Sequence, residues 1–109
     1  MKVILLPETL EYFENLMIIL YEKGYFGFKN SSQKYVIELV RDIKTNLPIK
    51  LRKPVPKYFD RYGKNMEYAS FPKNKHTTWY VFFTVYWENN EEIYLVRHIA
   101  NNHTVAQYL

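Results

Sequence analysis

The last third of the chain constrains its fold most. Thr78 to Tyr86 is an apolar and aromatic stretch, Glu88 to Glu92 a polar turn, and Ile93 to Ile99 a second, mixed stretch. Runs of β-branched and aromatic residues bounded by turn formers read as strands, and Asn89-Asn90 between two of them reads as a hairpin. Side chains alternate across a strand, so Trp79, Val81, Phe83 and Val85 share one face, and Tyr80, Phe82, Thr84 and Tyr86 the other. The first set is the more apolar and is expected to face helices. The second is too aromatic for a bare surface, so a partner is expected to cover it. On the last strand Ile93, Leu95, Arg97 and Ile99 alternate with Tyr94, Val96 and His98. Both sets are mixed, and the pattern assigns neither to the core.

Upstream, Lys2 to Leu6 reads as a short strand. A helix over Pro7–Lys23 follows, with Pro7 in its first turn and an apolar stripe of Leu10, Phe13, Met17, Leu20 and Tyr21 running to Gly24. Tyr25 to Lys29 is a linker. Asn30 or Ser31 caps a second helix, Ser31–Leu47, whose face is Val36, Leu39, Val40, Ile43 and Leu47 and which Pro48 ends. Pro54 and Pro56 exclude a regular central strand between Pro48 and Gly63, which is expected as an extended basic loop. Met66 to Phe71 is a strand ended by Pro72. The fold class is α+β in the order β-α-α-β-β-β with a short C-terminal turn or helix. A small, antiparallel-dominated sheet carries a two-helix hairpin on one face, in a single domain over residues 1–109.

Composition narrows the function. The chain has no cysteine, which removes disulfides and thiolate metal sites. Its first residues offer no signal peptide, and no apolar run is long enough to span a membrane, so a cytoplasmic protein is expected. The net charge of +4 is unevenly spread. Residues 25–75 hold twelve bases and four acids, while 1–24 and 76–109 each carry two more acids than bases. From Lys44 to Lys64, the seven bases Lys44, Lys50, Arg52, Lys53, Lys57, Arg61 and Lys64 meet one acid, Asp60. Such a cluster is either a solvated loop or a footprint for a polyanion, since grouped Lys and Arg release counterions from phosphates. The interleaved Tyr58, Phe59 and Tyr62 are either stacking surfaces for bases or loop anchors.

The element order, the basic loop before the sheet, and the strands Thr77-Thr78-Trp79-Tyr80-Val81-Phe82-Phe83 and Glu92-Ile93-Tyr94-Leu95-Val96-Arg97 resemble the RelE/ParE superfamily. These are toxins of bacterial type II toxin–antitoxin modules, and the resemblance covers essentially the whole chain. It implies a small sheet with two helices on one face and a concave, basic opposite face. RelE-type members cut messenger RNA within the ribosome, ParE-type members inhibit DNA gyrase, and a cognate antitoxin neutralises both. Many RelE-like toxins carry an Arg near the start of the penultimate strand, where this chain has Tyr80. They also carry Arg, His or Tyr just past the last strand, where this chain has Asn102, His103 and Tyr108. His103 and Tyr108 fit that pattern, while Tyr80 and Asn102 depart from it. The departures leave open a gyrase inhibitor or a silent RNA- or protein-binding module.

Metal-independent RNA cleavage needs a base for the ribose 2′-OH, cations for the phosphate and an acid for the leaving 5′-oxygen. His103 is the first candidate for proton transfer and Tyr108 the second, with His76 at a neighbouring turn. Lys75 and Arg97 are candidate cations within the catalytic group. Lys50, Arg52, Lys53, Lys57, Arg61 and Lys73 are the candidate RNA contacts. No cofactor is expected. Metal ligation has little support, because His98 and His103 are five apart across a strand end and no His-Glu-x-x-His occurs.

Overall fold

The computed structural model describes residues 1–22 and 29–105. Along the chain come β1 (Lys2–Leu5), α1 (Pro7–Glu22), α2 (Lys29–Asn46), a 3₁₀ turn (Leu47–Ile49) and β2 (Lys53–Pro54). A 3₁₀ helix (Lys57–Tyr62), β3 (Glu67–Asn74), β4 (Thr77–Glu88), β5 (Glu91–Asn101) and α3 (Asn102–Val105) complete it. The five strands form one mixed sheet in the order β1-β5-β4-β3-β2. β1 runs parallel to β5, and every other pairing is antiparallel. Among the described residues no helix is long and apolar enough to cross a membrane.

The terminal hairpin closes on Asn89 and Asn90, with φ of 52° and 62°. Positive φ at both central residues matches the twist of a two-residue hairpin loop, and Asn tolerates it better than most side chains. Both helices lie on one side of the sheet. Phe13 and Leu16 of α1 pack with Val36, Leu39 and Ile43 of α2 against Trp79, Val81, Phe83, Tyr94, Val96 and Ile99. The Trp79 indole donates to the Tyr35 hydroxyl at 2.9 Å, so the largest ring of this core is also satisfied. The expected face of α2 is therefore present, and that of α1 needs correction. Leu10 is exposed and Leu16 buried, because α1 is apolar almost all round from Leu16 to Leu20 and turns Thr9, Phe13 and Leu16 inward.

Three further expectations are corrected. Helix α2 begins at Lys29, before Asn30 and Ser31, so neither caps it; most of the expected 25–29 linker lies outside the described residues. β3 continues through Pro72 to Asn74; β2 pairs only with Glu67 and Tyr68, so the Pro72 nitrogen faces an edge that asks no ladder bond of it. The 48–63 stretch is not an extended loop. Pro54 and Pro56 do hold β2 to two residues, but Pro56, at φ −60°, then accepts the Phe59 N–H at 3.0 Å and starts the 3₁₀ helix.

That helix lies over the side of the sheet opposite α1 and α2. Phe59 inserts beneath it into a second core with Met66, Phe82 and Ala100, flanked by Val55, Tyr68 and Tyr80. Phe59 and Phe82 stack with centroids 4.8 Å apart and neither is accessible. The aromatic face expected to need a partner is thus covered at Phe82 by the chain itself, while Tyr86 remains exposed. Phe59→Ala is expected to lower unfolding free energy by about 3 kcal/mol or more in urea denaturation, as large-to-small changes at fully buried rings do. A loss below about 1 kcal/mol would mean that the 57–62 segment is not seated there.

Candidate functional site

Val96 and Ile99 both face the helices, although three residues apart on one strand they belong to opposite sides by strict alternation. A bulge reconciles them. Phe82 pairs with His98 and Phe83 with Val96, which leaves Arg97 as the extra residue. Arg97 and His98 consequently both emerge on the helix-free face. The Arg97 Nε donates to the Thr84 hydroxyl at 3.1 Å. The His98 imidazole lies between Phe82, at 5.4 Å, and Tyr62, at 3.9 Å and 5° from coplanar. Phe59 thus stacks on Phe82 and Tyr62 on His98, and with Phe59 and Tyr62 6.4 Å apart the four rings close into one aromatic cluster.

Gly63 ends the 3₁₀ helix at φ 149° and ψ 146°, a backbone region open essentially to glycine alone. A Cβ there would also come within 2.9 Å of the Arg97 Cδ, so the Arg97 side chain would have to shift. Burial holds the His98 imidazole below its ordinary value of 6.5, so it is neutral at pH 7.

A second group of polar residues gathers at the end of the sheet where β3 turns into β4 and β5 runs out. The Thr78 N–H donates to Asn102 Oδ1 at 3.0 Å, and Asn102 Nδ2 donates to the His76 carbonyl at 3.1 Å. These bonds tie α3 to the 74–77 turn and bring His103 to the same rim as His76 and Lys75, all three exposed. Asn101 Oδ1 accepts the His103 N–H at 2.9 Å, and Asn74 Oδ1 accepts the His76 N–H at 2.9 Å. Lys73 lies just before this turn, near the end of β3. Tyr108 lies outside the described residues.

Arg97 does not belong to this rim. His98 pairs with Phe82, five residues along β4 from Thr77, or about 17 Å at roughly 3.4 Å per residue. The expected catalytic set is thus divided between mid-face and rim. The expected RNA contacts divide too. Lys50 lies over the Phe71 ring at 4.7 Å, and Arg52 pairs with Glu67 at 3.4 Å and lies over the Tyr94 ring at 5.8 Å. Phe71 and Tyr94 belong to the helix-side core, so these two cations flank the helix side. Burial and the adjacent Glu92 carboxylate, which accepts the Tyr94 hydroxyl, push that phenol up, and Arg52 opposes them. Lys53, opposite Tyr68, and Lys57 and Arg61 of the 3₁₀ helix accompany the helix-free face. Arg61 sits 4.5 Å over the Tyr58 ring.

Thr84 was not among the expected site residues, Tyr62 was expected as either a stacking surface or a loop anchor, and His98 was weighed only as a poorly supported metal ligand. A bulge leaves no periodic mark in a sequence, but Val96 and Ile99 flanking Arg97-His98 is the apolar spacing it produces. No group of three or more His, Cys, Asp or Glu side chains suited to a metal occurs among the described residues. No family model, curated protein or solved structure matches the chain.

Because the folded state holds His98 neutral while the unfolded chain protonates it below about 6.5, its contribution is present above that pH and is lost as pH falls through the lower folded value. Unfolding free energy measured from pH 7 to pH 5 is expected to fall, and His98→Phe is expected to flatten that fall. An unchanged slope in the variant would contradict the buried, neutral imidazole.

Proposed function

We propose that this chain is the toxin of a type II toxin–antitoxin module, of the RelE/ParE kind, and that it cleaves messenger RNA on the ribosome without a metal. The observation that carries the reading is the pair of Asn102 hydrogen bonds that joins the His103 segment to the Lys73–His76 turn. It brings His103 to the end of the sheet that also carries Lys73, Lys75 and His76. Histidine suits proton transfer near neutrality, and lysine suits phosphate charge. In the proposed reaction His103 moves a proton while the ribose 2′-oxygen bonds to phosphorus. The bond from phosphorus to the 5′-oxygen breaks, the 5′-oxygen takes up a proton, and Lys73 and Lys75 offset the phosphate charge. His76 is the second proton-transfer candidate. The element order, with the first strand beside the last and two helices on one face, also supports the family. A cognate antitoxin, the ribosome and its messenger are the partners this reading implies, in the bacterial cytoplasm.

A second reading, a ParE-like gyrase inhibitor acting by protein contact, draws on a different observation. The 57–62 segment closes the middle of the helix-free face, and Tyr80 stands where many ribonucleases of this kind carry Arg. Primer extension on cellular messengers after induction separates the two. The ribonuclease reading expects discrete cleavages, reduced roughly 10²- to 10⁴-fold in His103→Ala with the fold intact, the usual contribution of one general acid or base. Cleavage that survives in the folded variant would remove His103 from the mechanism. Intact messengers together with DNA-damage signalling would transfer the assignment to the gyrase inhibitor.

A further inference from the structure

The three aromatic residues of the 57–62 segment have distinct surroundings. Phe59 is inaccessible and anchors the segment. Tyr58 is 40% exposed and has the Arg61 guanidinium over its ring. Tyr62 is also 40% exposed, yet one of its faces lies parallel to the His98 imidazole at 3.9 Å. A ring covered so closely on one side keeps its exposure on the other face and the edge. Tyr62 therefore offers a flat, wet aromatic surface.

That surface is held in place before anything binds. His98 backs it, Phe59 leans on it at 6.4 Å, and the next residue, Gly63, is wedged against Arg97. A ring already fixed loses little rotamer freedom on binding. Its neighbours are cationic: Lys57, Arg61 and Lys64 are exposed, against one acid, Asp60, and exposed Lys53 lies on nearby β2. An open ring face beside several cations is what single-stranded nucleic acid requires, because every base has a face to stack and every link a phosphate to neutralise. An acidic peptide would use the cations and leave the ring face unused.

We infer that the open face of Tyr62 is a stacking platform for an unpaired nucleobase of a single-stranded nucleic acid. Arg61, Lys57 and Lys64 hold the flanking phosphates, and His98 acts as a positioning residue behind the ring. The expectation that the strand is RNA rests on the ribonuclease reading, whereas the platform itself is separate from the rim that carries His103.

The test is fluorescence anisotropy of the full chain with oligoadenylate RNA of about eight nucleotides, its DNA counterpart and an abasic phosphate chain of equal charge. Tyr62→Leu is expected to bind the base-bearing strands about tenfold more weakly and the abasic chain as the wild type does. Tyr62→Phe is expected to stay within about twofold of wild type, since it keeps the ring. Arg61→Gln should lower the salt dependence by about one released ion, and Tyr62→Leu should leave it unchanged. Tighter binding of RNA than DNA assigns the strand as RNA, and the reverse assigns DNA; both keep the platform.

Equal binding of wild type and Tyr62→Leu, an equal loss on the abasic chain, or no binding of any strand by wild type overturns the inference. If circular dichroism shows Tyr62→Leu unfolded, the wild type decides the matter: it must prefer base-bearing to abasic strands by about tenfold. Messenger cleavage with Tyr62-independent binding would sink the platform alone. Tyr62-dependent binding without cleavage would sink the ribonuclease reading alone.

Discussion

Between Val96 and His98 the last strand carries one residue more than β4 can pair, and the arrangement of the helix-free face follows from it. Strict alternation through Val96 would send His98 into the apolar core beneath the helices and Ile99 away from it. The cost would be a polar ring buried without a partner and a lost aliphatic contact. The bulge returns Ile99 to the core and delivers Arg97 and His98 together to the other side. There His98 stacks on Tyr62 beside the Phe59–Phe82 pair, Arg97 reaches Thr84, and Gly63 is fitted against the Arg97 side chain. Bulges commonly re-aim side chains beside functional sites, and here one also seats the segment that covers the sheet.

The basic middle of the chain is therefore not one surface. Lys50 and Arg52 are drawn to the helix side by aromatic rings and by Glu67, and an ion pair of this exposure contributes at most about 1 kcal/mol. Lys53, Lys57, Arg61 and Lys64 belong with the 3₁₀ helix and the edge strand, where Asp60 is the only nearby acid in sequence. The remaining polar groups collect at the Asn102-bridged rim. A strand of nucleic acid running from Tyr62 to that rim would cover about 17 Å, a span of a few nucleotides, given 3.4 Å per residue along β4.

Much of this was legible in the chain. The stripe from Val36 to Leu47, the two faces of β4 and the Asn89-Asn90 turn were readable because burial imposes a period on them. The α1 face was not, because Leu16 to Leu20 is apolar at every position and a helix made of such a run gives no direction. The 3₁₀ helix was hidden by its prolines, which correctly ruled out a long strand but equally permit a short turn that starts at Pro56. Phe59 and Tyr62 differ only in what lies beneath them, and that depends on a contact with β4 and β5 more than twenty residues away. The face that carries His98 could not be read for the same reason, since its placement depends on a single extra residue. The rim at His76 and His103 was foreseeable from the ends of the two strands, whereas the Asn102 bridge needed the side-chain geometry.

On the proposed function, RNA contacts the helix-free side from the 57–64 segment to the His76 and His103 rim. Amide chemical-shift mapping by NMR, with a short single-stranded RNA titrated into the full chain, tests it most directly. Shifts are expected at Lys57 to Lys64, at Arg97 and His98, and at Lys73 to His76, with α1 and α2 quiet. Shifts confined to α1 and α2, or none at saturating RNA, would contradict it.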